Sequence, residues 1–531
     1  MITIAKFLKD WETKNAKILT KTGSFSMMAL SLAACGGGGG GGGVSTLTPP
    51  AGVTPVVDPV TSDLTIWNDT VVGTTGEDTV TGLRIDTVQT FNSGDSITLG
   101  DGIDNLSATL NEGTVTPAAI TGVENVMFVA LGPATIDFDN VSGVTSLISR
   151  GSSATLVVDD IQEIPTSISV NNNTAAQTFI FKDTAVSGNT DELTLQFDGV
   201  GGVVNVGSEL VGDGDIEIFT IIAAGGASDL GAGNGFGADA ITITVNATSD
   251  LDLGSTAQFI ASTNFDASDS TAAVTAVFAA KTTASETAVT IKGGAGADKF
   301  DIRTFTAEEN FGDLIVDMGG GNDTLYLGEV ADTDTGSSIK GGSGDGDILI
   351  ISGNALAAEV NSQISEFEIL NIETTGLTQD ADNFGGTIFG TAAAIAEMRI
   401  DNLAGGSIIN INHDVGTSLT ANLKTDTPSD ALTINIGGTS GNVTLESLVP
   451  STQYETVTVN SQGTAENTLS GVGAVINNMT FTGDTAITVS STDNIVGVVD
   501  FTNSNENNTV TVTDTTAQTI SFGSGDDTIT T

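Results

Sequence analysis

Of 531 residues, 66 are acidic and only 15 basic, a formal net charge of −51. That balance excludes nucleic acid and anionic membrane surfaces as targets of the body, since both bind basic patches. With 39% hydrophobic and 15% charged residues, the chain is also too apolar for a disordered acidic tail. Its Val, Ile and Leu mixed with Thr, Ser, Asn and Gly favour strands and turns. The expectation is a folded all-β body that either tolerates its self-repulsion or, the favoured alternative, neutralises it with metal ions. The one cysteine, Cys35, permits no intrachain disulfide, so bound divalent cations are the available substitute.

Residues 1–24 carry Lys6, Lys9, Lys14, Lys17 and Lys21, with Ile4, Phe7, Leu8 and Trp11 at helical spacing. "FSMMALSLAAC" (25–35) then supplies a short apolar run ending in small residues. A basic region, an apolar core and a small-residue cut point describe a secretory signal. Leu32-Ala33-Ala34-Cys35 resembles the lipobox of bacterial lipoproteins, which implies acylation of Cys35 as the mature N-terminus. An uncleaved basic helix is the alternative. Eight glycines and "VSTLTPPAGVTPVVDP" follow, so 36–62 is expected to be a flexible tether.

Beyond the tether the chain reads as short alternating strands separated by turn residues, among them 134–141, 192–200, 240–253, 431–438 and 508–514. "AAAIAEM" (392–398) is the best helical candidate of the body. "GGAGADKFD" (293–301) matches Gly-Gly-x-Gly-x-Asp-x-apolar-x, with Gly293, Gly294, Gly296 and Asp298 at the key positions. Related stretches centre on Asp78, Asp104, Asp323 (with Gly319 and Gly321), Asp347 and Asp527. "GDGDIEI" (212–218) is a weaker copy. Apolar-Glu-x-apolar recurs around Glu124, Glu368 and Glu455. Asp78, Asp104 and Glu124 are spaced like Asp323, Asp347 and Glu368, which implies a duplicated cassette and stacked repeats. The division expected is a signal (1–35), tether (36–62), first cassette (63–165), central strands (166–290), second cassette (291–430) and C-terminal repeats (431–531).

Glycines let a tight turn aim carbonyl oxygens at one centre, and an aspartate adds a hard anionic oxygen. That is the donor set Ca2+ prefers at six to eight coordination. The competing reading is that "GSGDD" and "GNDT" are plain β-turns. Cys-His catalysis and imidazole zinc sites are nearly excluded, because His413 is the only histidine. His413 itself is expected in a surface turn. A carboxylate-pair hydrolase stays open, though two Trp and two Tyr leave little for a sugar-stacking cleft. The chain is therefore expected not to be an enzyme.

The nonapeptides, the strands "ITGVEN" and "FEILNI", and "SDLDLGSTAQFIASTNFDASDSTAAVTAVF" resemble the calcium-binding RTX-like β-strand-repeat surface proteins of Gram-negative bacteria, including S-layer proteins. The resemblance covers roughly residues 63–531. It implies an elongated, calcium-stabilised β-solenoid or β-sandwich array at the cell exterior. It also implies calcium-driven folding after export and lateral assembly with copies of itself on the outer membrane or envelope. A surface adhesin, or a phage-fibre-like receptor-binding module, is the second reading.

Overall fold

Alternation of apolar and polar side chains decides this fold. In Asn125–Ala130, Val126, Phe128 and Ala130 are buried while Asn125, Met127 and Val129 face outward, the period-two pattern of a strand with one dry face. Ser146–Arg150, Gln177–Phe181, Ile218–Ala223 and Ala431–Ile436 repeat it. A computed structural model of the protein describes residues 58–209, 216–231, 235–236, 240–255, 264–279, 287–305, 312–328, 336–344, 346–351, 363–372, 377–380, 384–390, 395–439, 441–513 and 517–531. The N-terminal helix, the signal, Cys35 and most of the tether lie outside these residues.

Each strand pairs in parallel with the equivalent strand one coil later. Val126 sits against Leu106 on one side and Leu147 on the other. The body is a parallel β-solenoid rather than a sandwich. Its first long sheet has 14 strands, from Thr61–Asp63 to Ile364–Ser365, and a second of 14 runs from Ser228–Asp229 to Thr519–Phe522. Sheets of four, six and nine strands close the remaining sides. Among the described strands the single antiparallel pair is the hairpin Arg84–Ile85 with Val88–Gln89. Residues 56–531 form one unit, and the two long sheets pass without a break through 165/166, 290/291 and 430/431.

Early coils use three strands, such as Ala119–Thr121, Asn125–Ala130 and Ala134–Asp137. Central coils use two, such as Val289–Lys292 and Lys299–Ile302. Inward residues stack into columns along the axis. Phe265, Phe278 and Phe300 meet edge to face at 5.0–5.7 Å between ring centres, and Phe481, Phe501 and Phe522 stack in parallel. Each fully buried side chain of this kind contributes about 1.5–3 kcal/mol. The outer face holds ladders too: the Asn435 amide donates to Asn410 Oδ1 (2.6 Å), and the Asn460 amide donates to Asn435 Oδ1 (2.9 Å).

One expected element differs. Ile395–Leu403 is a strand paired with Val415–Leu423, not a continuation of a helix from "AAAIAEM". A short alanine-rich run favours helix only weakly, and a neighbouring coil that offers a full ladder of backbone partners overrides it.

Candidate metal centre

Where a coil turns from one sheet to the next, a backbone N–H at the corner falls outside the strand ladder. A buried N–H must find another acceptor. Here the acceptor is a side chain from the next coil. Asp78 Oδ1 accepts from Val60 N–H (2.5 Å), Asp104 Oδ1 from Asp78 N–H (2.6 Å), and Glu124 Oε2 from Asp104 N–H (2.8 Å). The central stack repeats this: Asp298 Oδ1 takes Val274 N–H (2.8 Å), Asp323 Oδ1 takes Asp298 N–H (2.7 Å), and Asp347 Oδ1 takes Asp323 N–H (2.8 Å). At the C-terminal end Asp527 Oδ1 accepts from Asn508 N–H (2.8 Å).

The spacing noticed in the sequence is therefore the length of one coil. Thr79, Asn105 and Asn125 are direct neighbours across strands, as are Thr324, Ile348 and Ile369. The two cassettes are the same cap used on two different sheets. Asp78, Asp104, Asp298, Asp323 and Asp347 are at most 1% exposed, while Asp527 is half-buried. These aspartates are inward caps rather than surface turn residues.

The glycines follow from how closely the corners stack. A Cβ on Gly319 would sit 2.2 Å from Gly294 O, and one on Gly321 would sit 2.3 Å from Gly296 O. Both also have positive φ, +90° and +127°, where only glycine is unstrained. Gly293, Gly294 and Gly296 form the corner directly beneath them.

The second carboxylate oxygen separates the candidates. Its usual donor is the N–H four residues earlier: Thr74 for Asp78 (2.6 Å), Gly100 for Asp104 (3.4 Å) and Gly294 for Asp298 (2.7 Å). For Asp323 that donor would be Gly319, but Gly319 N–H is diverted to Asp317 Oδ1 (3.2 Å). Asp323 Oδ2 is left buried without a hydrogen-bond partner.

Electrostatics follow the same division. Burial pushes the Asp78 carboxyl up, but N–H groups of Thr74 and Val60 and the Thr74 hydroxyl outweigh it, and the result lies below the usual range. Burial raises Asp104, with Asp78, Glu124 and Glu77 adding repulsion against the Asp78 N–H. Burial lifts Asp298 to about 6 despite two N–H donors. Asp323 rises to about 7, through burial first and then repulsion from Asp298 and Asp347.

Neutral amides occupy the same cap elsewhere. Asn467 Oδ1 accepts from Val443 N–H, while its Nδ2 donates to Gln462 O, Ser461 Oγ and Ile436 O. Asn508 Nδ2 donates to Glu506 O and Ser504 Oγ. The second atom of such a cap can thus face oxygens, an environment that suits a donor or a cation. At Asp323 that atom is instead a second carboxyl oxygen. Stacked carboxylates, with the orphan Asp323 Oδ2 among their oxygens, are hard ligands suited to Ca2+.

Sequence reasoning missed several members of this system. Glu217 caps Asp191 and Asp95 caps Asp69, while Glu455, picked out only as a strand motif, caps Asp430. Ser152, Asn173 and Ser270 do so at other corners. Glu217 lies in the weak copy at 212–218, so coil-length spacing was the available signal. A second acidic cluster, Asp137, Asp139 and Asp160, was not foreseen. Lys182 Nζ occupies it, 2.6 Å from Asp139 and 3.0 Å from Asp160, so this cluster carries its own cation. His413 is exposed in a bend. No protein-family model and no curated protein matches the chain.

Proposed function

We propose that this β-solenoid is a structural, calcium-binding cell-surface protein of the RTX-like, S-layer type that assembles with copies of itself outside the cell. The observation that carries the reading is Asp323 Oδ2: a buried carboxyl oxygen without a donor, between Asp298 and Asp347. An unpaired buried charge costs several kcal/mol, and a divalent cation held by this stack removes that cost. Asp298, Asp323 and Asp347 would hold the ion. The outer caps Asp78, Asp104 and Asp527 work through hydrogen bonds. The −51 charge supports the same reading, because it resists close approach of copies until cations neutralise it.

On this reading the protein has no catalytic role. Its location is the Gram-negative cell exterior, with acylated Cys35 as the envelope anchor. Electron microscopy of purified protein tests it. In millimolar calcium the expectation is ordered sheets, and in chelator dispersed particles with a lower melting temperature. Dispersed particles in both conditions would remove the assembly reading.

A further inference from the structure

Cations are scarce in this body, and their distribution is uneven. Residues 22–531 contain ten, of which Lys292, Lys299, Arg303 and Lys340 fall between 292 and 340. Lys292 and Lys340 pair with Asp266 and Glu366. Lys299 and Arg303 instead lie against Tyr326, with Lys299 Nζ 5.3 Å and Arg303 Cζ 4.9 Å from the ring centre. Asp301 holds the Arg303 guanidinium. Lys299 is exposed and makes no ion pair among the described residues.

Lys299 belongs to one outward column of the second long sheet. The register runs Asp229, Asp252, Thr275, Lys299, Thr324, Ile348. Coils are about 4.8 Å apart, so this column changes from acidic to basic within about 10 Å, across Thr275. Such a column is self-complementary. A two-fold axis passing at Thr275 reverses it, setting Asp252 of one copy opposite Lys299 of another, twice. The same operation brings Asp229 to the Tyr326–Arg303 flank.

The geometry points to this face as an isologous contact between two copies of the chain. It rests on the self-assembly reading above and names the surface that assembly uses. Two copies repel over most of their surface. Beyond a Debye length of about 8 Å that repulsion is screened at physiological salt, so contact is decided where opposite charges meet. Paired two-fold contacts are the commonest closed symmetry, and Tyr and Arg are residue types that anchor interfaces.

The test uses full-length protein in millimolar calcium. Sedimentation measures association, and thermal melting checks the fold. Lys299→Asp should weaken association by about a hundredfold, because symmetry repeats each lost pair, while leaving the melting temperature near wild type. Asp252→Lys should do the same, and the double variant should restore association. On the wild type, zero-length carbodiimide coupling should join Lys299 to Asp252 or Asp229 of another copy, whatever the stability of the variants. If the wild type associates but the single variants associate equally well and no such cross-link forms, this contact is overturned while assembly stands. If the double variant stays as weak as the singles and Lys299 couples to no second copy, the pairing of Asp252 with Lys299 is overturned. A wild type that remains monomeric in calcium overturns the contact together with the assembly reading.

Discussion

Replacing Asp323 with Asn separates a bound cation from a plain turn. The substitution keeps the acceptor for Asp298 N–H and removes the charge. Burial and its carboxylate neighbours raise Asp323 from near 3.8 to about 7. At about 1.4 kcal/mol per tenfold in proton affinity, ionising it at pH 8 costs the metal-free fold about 4 kcal/mol. Asp323→Asn should therefore be more stable than wild type in chelator, by a few kcal/mol with about 4 as the ceiling. Asn467 shows that an amide at such a corner finds acceptors. The gain on adding calcium should shrink correspondingly. Denaturant melts of both proteins at pH 8, each with chelator and with calcium, give the four stabilities required. A variant less stable than wild type in chelator, with an unchanged calcium response, would refute the reasoning.

The outer caps should behave differently. Asp78→Ala strands the N–H groups of Val60 and Thr74 and should cost about 1–3 kcal/mol, equally in calcium and in chelator, by the same melts. Gly319→Ala puts a Cβ at positive φ against Gly294 O; a loss above about 1 kcal/mol is expected, read as a lower denaturation midpoint. The pH dependence of the metal-free protein has a worked sign. Asp298 and Asp323 titrate higher folded, at about 6 and about 7, than unfolded, so the folded chain binds their protons more tightly. Their contribution is most favourable below about pH 4 and is lost as pH rises towards 7. Asp78, lowered in the fold, acts in the opposite sense, its contribution fading as pH falls below the ordinary carboxylate range. Melting from pH 4 to 8 in chelator should show the net decline, and calcium should flatten it.

Strands were readable because alternation is local: "NVMFVA" carries its own inside and outside. The architecture was half readable. Motifs 20–26 residues apart suggested stacking, but nothing local says that this interval is one coil. The chemistry of the aspartates was the least accessible part. A Gly-rich turn with Asp reads the same whether the carboxylate faces solvent or caps an N–H a coil away. Because any acceptor serves a cap, Asn467 and Ser270 share no motif with Asp298. The Lys182 cluster joins residues from separate coils, so no linear pattern marks it. The orphan oxygen of Asp323 arises from one diverted hydrogen bond, Gly319 to Asp317, which composition cannot encode.

The most direct measurement is a high-resolution structure of the protein grown in millimolar calcium, with anomalous data to identify the ion. The account predicts a calcium ion within about 2.3–2.6 Å of Asp323 Oδ2 and hydrogen bonds alone at Asp78. Density at Asp323 showing only a water, or a proton-sharing contact with no ion, would contradict it.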